Sequence, residues 1–321
     1  MADYINIYGQ DILAVASDPA NPTLGQIWYN TTSNTLKGQG FSVASWSTGG
    51  NLSTARSYIA GCGIQTAALG FGGYTTPPAT NRSETEEYNG SAWTAGGSLN
   101  TARGGLGGAG TQTAGLAFGG NPLTGATEEY NGSTWTTSPG SLGTARYILG
   151  GTGTQTAALA FGGNPGNLAN TEEYDGSTWT SGGNLNTARG YNPGGAGIQT
   201  AALAFGGNDP APGLLSATEE YDGSVWTVGG SLNTARAYLA GCGTQTEALA
   251  FGGGTPASTG ATELYNGTSW TSSPASMATA RNRFGGAGTQ TLALGFGGNP
   301  ITAATEEWTG AAPTTVTITA S

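Results

Sequence analysis

The sequence predicts an all-β fold: a six-bladed β-propeller closed by an N-terminal strand and preceded by a short arm. Three observations predict it. A phrase of the form TEEYNGSTWT (residues 127–136) recurs as TEEYNGSAWT, TEEYDGSTWT, TEEYDGSVWT and TELYNGTSWT, and breaks off as TEEWTG near the C-terminus. The tripeptide TAR recurs at Arg56, Arg103, Arg146, Arg189, Arg236 and Arg281, spaced 43 to 47 residues apart, a period that belongs to propellers and solenoids. Of 321 residues, 59 are glycine and only 9% are charged, which suits many turns and short strands rather than charged amphipathic helices.

The elements follow in chain order. Residues 1–40 form an N-terminal arm for attachment or assembly, in which Trp28 and Tyr29 are the candidate docking residues. Residues 41–310 hold the six copies, and residues 311–321 a strand-like tail. Each copy reads as four strands, a to d: a glycine-rich a after TAR, an apolar b ending in FGG, c through TEEY, and d through tryptophan. The glycines of strand a answer to crowding near a central axis. The Asn-Gly or Asp-Gly between c and d predicts a two-residue hairpin turn. Tyr130 and Trp135, with the equivalent Trp93, Trp179, Trp226 and Trp270, are large enough to fill the space between sheets. Copy six has no d strand, whereas Trp46 lies on a d strand with no a, b or c before it. Pairing the two closes the ring and removes an exposed edge; the tail at 311–321 is the competing candidate for that edge.

F-G-G, E-E-Y-N-G and S-T-W in this order resemble the kelch repeat over residues 41–310. The copies are also similar to kelch-like repeats of bacteriophage tail-fibre and appendage proteins, and LGQIWYNTTSNTLK is similar to segments preceding phage fibre modules. The resemblance implies a virion protein whose arm joins other virion proteins.

Chemistry is excluded more readily than it is found. The chain has no histidine, which removes histidine-dependent triads, histidine acid–base catalysis and the common zinc and copper sites. Enzyme activity, metal and cofactor are therefore not expected. Galactose oxidase, the kelch-like oxidase, needs histidine ligands, so that activity does not carry over. Glu128 and Glu129 recur in nearly every copy, and neighbours on a strand point to opposite faces, so they do not form a catalytic pair. Six of the nine basic residues are TAR arginines, and eleven of the nineteen acids lie in the TE(E/L) phrases, a match that predicts repeated ion pairs between each arginine and a glutamate of its own or a neighbouring blade, with blade-to-blade pairs fitting the count. The glutamines of the GTQT phrases read as turn locks, and Cys62 and Cys242 as small buried thiols. A net charge of −10 argues against nucleic acid and against anionic membranes. No basic and apolar leader and no long apolar run is present, so neither a signal peptide nor membrane insertion is expected.

The copies differ chiefly in the b–c loops, YTTPPATNRSE, NPLTGA, NPGNLAN, NDPAPGLLSA, GTPASTGA and NPITAA. Variable loops on a repeated scaffold are where binding usually resides. The same face is expected to carry the residues after TAR, namely Tyr58, Tyr147, Tyr191, Tyr238, Arg283 and Phe284, with Tyr74 and Arg82 in the longest loop. Two roles fit these aromatic residues: stacking on the sugar rings of a host-surface glycan or receptor, or packing around the channel mouth. The expected function is a non-enzymatic phage virion protein displaying a binding face. A structural connector or decoration module is the alternative, and a cellular kelch adaptor for a protein partner the third reading.

Overall fold

The computed structural model describes residues 12–78, 80–209 and 213–318, and among them every regular element is a β-strand. The chain divides into two compact units, Met1–Ser45 with Gly310–Ser321, and Trp46–Thr309. In the smaller unit Leu13–Val15 runs parallel to Ile27–Asn30, which pairs with Thr35–Phe41. Thr35–Phe41 in turn pairs with Pro313–Thr317, Gly38 lying opposite Val316. The tail strand is thereby committed to the smaller unit.

The larger unit is propeller-like, with one four-stranded sheet per copy. In copy two, strands a to d are Gly107–Gly110, Gly115–Phe118, Thr127–Tyr130 and Trp135–Thr137, all antiparallel. The a strands neighbour one another in chain order, and Gly285–Gly288 of copy six neighbours Ala60–Ile64 of copy one. The fourth strand of the sixth sheet is Ser45–Thr48, beside Thr305–Thr309. Trp46 packs there against Trp308 and Phe251, at ring separations of 5.5 and 5.1 Å.

Strand a is glycine-rich because aromatic rings occupy the space a Cβ would need. On Gly107 a Cβ would lie 2.2 Å from the ring of Phe118, its cross-strand partner. On Gly108 it would lie 3.0 Å from Phe71 of the preceding sheet and 3.1 Å from the Gly61 carbonyl of the neighbouring a strand. The c–d turn differs from the two-residue hairpin expected from Asn-Gly. Tyr130 opposes Trp135, leaving a four-residue loop, in which Asn131 Oδ1 accepts the Ser133 and Thr134 amides and Gly132 alone takes positive φ.

Three side-chain ties join each sheet to the one before it. The tryptophan on strand d donates Nε1–H to a threonine hydroxyl of the preceding c strand: Trp135 to Thr85, Trp93 to Thr305, and Trp46 to Thr262. The same bond thus assigns Trp46 to copy six. The GTQT glutamine donates its amide to two carbonyls of the preceding sheet, as Gln112 does to Ala68 and Tyr88, so the glutamines bridge sheets instead of locking their own turns. The tyrosine hydroxyl donates to the second glutamate of the preceding copy, as Tyr130 does to Glu87 at 2.6 Å and Tyr88 to Glu307 at 2.5 Å. This tie fails once, and on both sides together: Leu264 replaces the glutamate and Trp308 replaces the tyrosine that would reach it. A buried phenol without its acceptor would cost about 1–3 kcal/mol; the paired replacement avoids that.

Burial, and then the facing glutamate, push the hydroxyls of Tyr88, Tyr130, Tyr174, Tyr221 and Tyr265 up to about 12. A free tyrosine titrates near 10, so each contributes stability that is complete below about pH 10 and lost as pH rises from there towards 12. Denaturation midpoints should therefore hold up to about pH 9 and fall steeply by about pH 11. A midpoint flat over that range would rule the tyrosines out as alkaline sensors.

Candidate functional site

The variable-loop face is assembled from the TAR arginines outward. Each arginine is fully buried. Arg103 Nη2 meets Glu128 at 2.7 Å, while Nη1 donates to the carbonyls of Gly119 and Ala126, which flank the b–c loop of its own copy. The arginine therefore staples the base of that loop. Arg56, Arg189, Arg236 and Arg281 repeat the pattern with Glu86, Glu219, Glu263 and Glu306. Arg146 is looser, 3.1 Å from Glu172. Of the two partners open to each arginine, a glutamate of its own blade or of a neighbouring one, the structure takes the first, so the pairs are intra-sheet and not blade-to-blade, because the arginine enters each sheet ahead of strand a and faces that sheet's own c strand. The links between sheets are the neutral and tyrosine–glutamate bonds described above.

Just after each arginine the backbone pairs with the start of the b–c loop, as Ser57 with Tyr74, Gly104 with Asn121 and Tyr147 with Asn164. This places the post-TAR residues and the variable loops on one face. The residue two past each arginine, Tyr58, Gly105, Ile148, Tyr191, Tyr238 or Arg283, takes a left-handed φ between 51 and 62°, a conformation uncommon outside glycine. That geometry lets the amides of successive copies bond to one another. Tyr58 N–H donates to Arg283 O, Gly105 to Tyr58, Ile148 to Gly105, Asn192 to Ile148, Tyr238 to Tyr191 and Arg283 to Tyr238, so that six bonds return to their start.

Side chains at this ring are unequal, and the inequality creates a cavity. Copy two carries Gly105 where the other copies place tyrosine, isoleucine or arginine, and Gly104 before it. Above them opens a pocket of about 300 Å³ walled by Tyr58, Tyr74 and Tyr147, with Ile148, Asn81 and Asn121 at its lining. Asn81 Oδ1 is buried and accepts no hydrogen bond from the described residues. A buried acceptor left unfilled is unusual and offers a place for a ligand hydroxyl. Beside the pocket, Tyr238 stands edge-on to Tyr58 and Tyr191, with ring centroids 6.0 and 5.4 Å away. The guanidinium of Arg283 lies over the rings of both Tyr58 and Tyr238, 5.1 and 4.6 Å from their centroids.

The candidates read from sequence thus separate. Tyr58, Tyr74 and Tyr147 converge on the pocket, and Tyr191, Tyr238 and Arg283 on the cluster beside it, with Tyr58 shared. Phe284 belongs to neither: it is buried at 3% exposure and packs on Phe251, because the third position after TAR turns inward. Arg82 is held by Glu84 through Nε and Nη2 and does not line the pocket. In the smaller unit Trp28 is completely buried, donating to Asp18, so it is not available for docking; half-buried Tyr29 reaches Asn34. Asn81, Asn121 and the Gly104–Gly105 gap went unread, although the missing side chain in copy two was a visible signal. Cys62 and Cys242 are free and buried, and burial pushes the Cys62 thiol up to about 12. Among the described residues no three metal-binding side chains cluster, and no helix is long and apolar enough to cross a membrane.

No protein-family model matches the chain, and no curated protein does.

Proposed function

We propose that the chain is a non-enzymatic phage virion protein, a tail-fibre or appendage module in which a closed six-bladed kelch-like propeller presents its variable-loop face to a host-surface glycan. The pocket at Gly105 carries this reading. Three tyrosine rings supply flat apolar walls suited to the C–H faces of a sugar, and Asn81 and Asn121 bring amides suited to its hydroxyls. Concave sites with apolar walls and a few placed polar groups are where small ligands bind. The repeated glutamates support binding over catalysis, since arginine and tyrosine already engage them.

The Gly105→Tyr substitution tests the reading cleanly. Tyr58 and Tyr238 occupy the equivalent position at nearly the same φ, so the backbone conformation suits tyrosine; a Cβ there would lie 3.1 Å from Ile148 Cγ1, so that side chain gives slightly as the pocket fills, and a thermal melt checks the fold. A glycan array with labelled protein should show binding by the parent, its loss in Gly105→Tyr, and weakening by roughly tenfold or more in Tyr147→Ala. Equal binding by parent and Gly105→Tyr would remove the pocket from the function, and a parent that binds no glycan would remove the function itself.

A connector role has one observation of its own. Leu13, Leu24, Phe41, Val43 and Val316 of the smaller unit are exposed, which suits attachment of the arm to other virion proteins through these residues rather than through Trp28.

A further inference from the structure

We infer that the glycan is acidic and that Arg283 receives its carboxylate; the inference rests on the glycan-binding reading and names the ligand class. Arg283 stands apart in the charge pattern. Of nine basic residues, Lys37, Arg82 and the six TAR arginines each hold a carboxylate. Among the described residues no carboxylate lies within ion-pair distance of Arg283, although the chain carries a net charge of −10. Like the Nε of the six TAR arginines, its Nε is buried without a hydrogen-bond partner among the described residues, but unlike theirs its side chain as a whole is only half-buried. The part that reaches solvent is thus the rest of the side chain at the channel mouth.

The surroundings fix this cation in place without neutralising it. Tyr58 and Tyr238 hold the guanidinium against their rings, and Tyr238 also hydrogen-bonds it; neutral aromatic groups attract the cation while leaving its charge in place, and one phenol does not exhaust its five N–H donors. A guanidinium so held is pre-organised for the two oxygens of a carboxylate. It carries a single charge, which matches a monoanion better than a doubly charged phosphate in a protein already acidic overall.

The cluster is joined to the pocket. Tyr58 walls the pocket on one side and contacts Arg283 on the other, and a narrow cleft is lined by Tyr58, Gly105, Asn192 and Arg283 together. A sugar seated on Gly105 therefore has the arginine as its neighbour across one tyrosine ring. Uronic and nonulosonic acids carry a ring and a carboxylate in one residue, as this arrangement requires.

The test uses the full chain with trigalacturonic acid, its methyl ester, 3′-sialyllactose and lactose as probes, followed by calorimetry, with thermal melts checking that each variant folds. The acids should bind about tenfold more tightly than the ester and lactose, and that preference should shrink as salt is raised. Arg283→Gln should abolish the preference, bringing the affinity for the acids down to that for the ester and lactose, and Arg283→Lys should restore part of it. Equal binding of acid and ester by the parent, with Gly105→Tyr still blocking both, overturns the carboxylate assignment and leaves the glycan reading standing. Preference retained in Arg283→Gln overturns it as well. Failure of the parent to bind any of these probes, or any glycan on a broad array, overturns both.

Discussion

Replacing Arg103 with alanine is expected to destabilise the larger unit by about 3–5 kcal/mol, the usual cost of breaking a buried ion pair from one side. Glu128 would be left at 2% exposure without its counter-charge, and the carbonyls of Gly119 and Ala126 would lose their donor. Arg146→Ala should cost less, because its bonds to Glu172, Asn170 and Ala160 run from 3.1 to 3.3 Å. A double variant, Arg103→Met with Glu128→Leu, separates the charge from the staple. Apolar replacement of an ion pair is often neutral, yet here the two carbonyls stay unpaired and Asn100 N–H loses its bond to Glu128. The double variant should thus remain about 1–3 kcal/mol less stable than the parent. Chemical denaturation of the three variants decides between the roles: full recovery in the double variant would make the arginine an ion-pair partner only, and an unshifted midpoint in Arg103→Ala would deny it both roles.

Exchanging Ser45–Thr48 for Gly-Ser-Gly-Ser is expected to be comparably severe. It removes Trp46 from between Trp308 and Phe251, takes away the bond to Thr262, and bares the edge of Thr305–Thr309. A fully buried tryptophan is worth about 3–5 kcal/mol on truncation; half-buried Trp46 contributes less, and the lost ladder bonds add about 1 kcal/mol each. The sum is a large part of the 5–15 kcal/mol typical of a folded domain. Bare edges also recruit other chains, so light scattering should report a higher mass than the parent. A synthetic peptide of residues 41–50, added in excess, should reverse both effects. Parent-like melting and mass would show that the sixth sheet does not depend on this strand.

What repeats was legible in the sequence, and what differs was not. Strands a to d, the buried arginines and the tyrosine–tryptophan pairs all recur, so comparing the copies exposed them without any relative. Trp46 was assigned by the same logic, as a strand lacking its repeat. The partner of each arginine stayed open between two sheets because spacing shows that arginine and glutamate match in number but not which sheet's glutamate lies nearer. Phe284 was misplaced because a single step along the chain separates Arg283, at the mouth, from a side chain turned into the core. The pocket was missed because it is made by absence. Gly104 and Gly105 look unremarkable in a chain so rich in glycine, and only the column of Tyr58, Ile148, Tyr191, Tyr238 and Arg283 beside them shows that a side chain has been removed.

The circuit of six backbone bonds at the channel mouth has a consequence for how such a site changes over evolutionary time. Every amide in it points to the preceding copy, so the peptide dipoles circulate and their in-plane components oppose one another across the ring. The main chain adds little field of its own, and the electrostatic character of the mouth is left to what stands at the six equivalent positions, five side chains and the bare Gly105. Tyrosine, isoleucine, arginine and glycine already occupy equivalent positions at nearly the same φ. The ring thus works as a socket with interchangeable inserts: a few codon changes there would alter the size and charge of the ligand accepted, while the bonds that hold the socket together, being backbone to backbone, would persist.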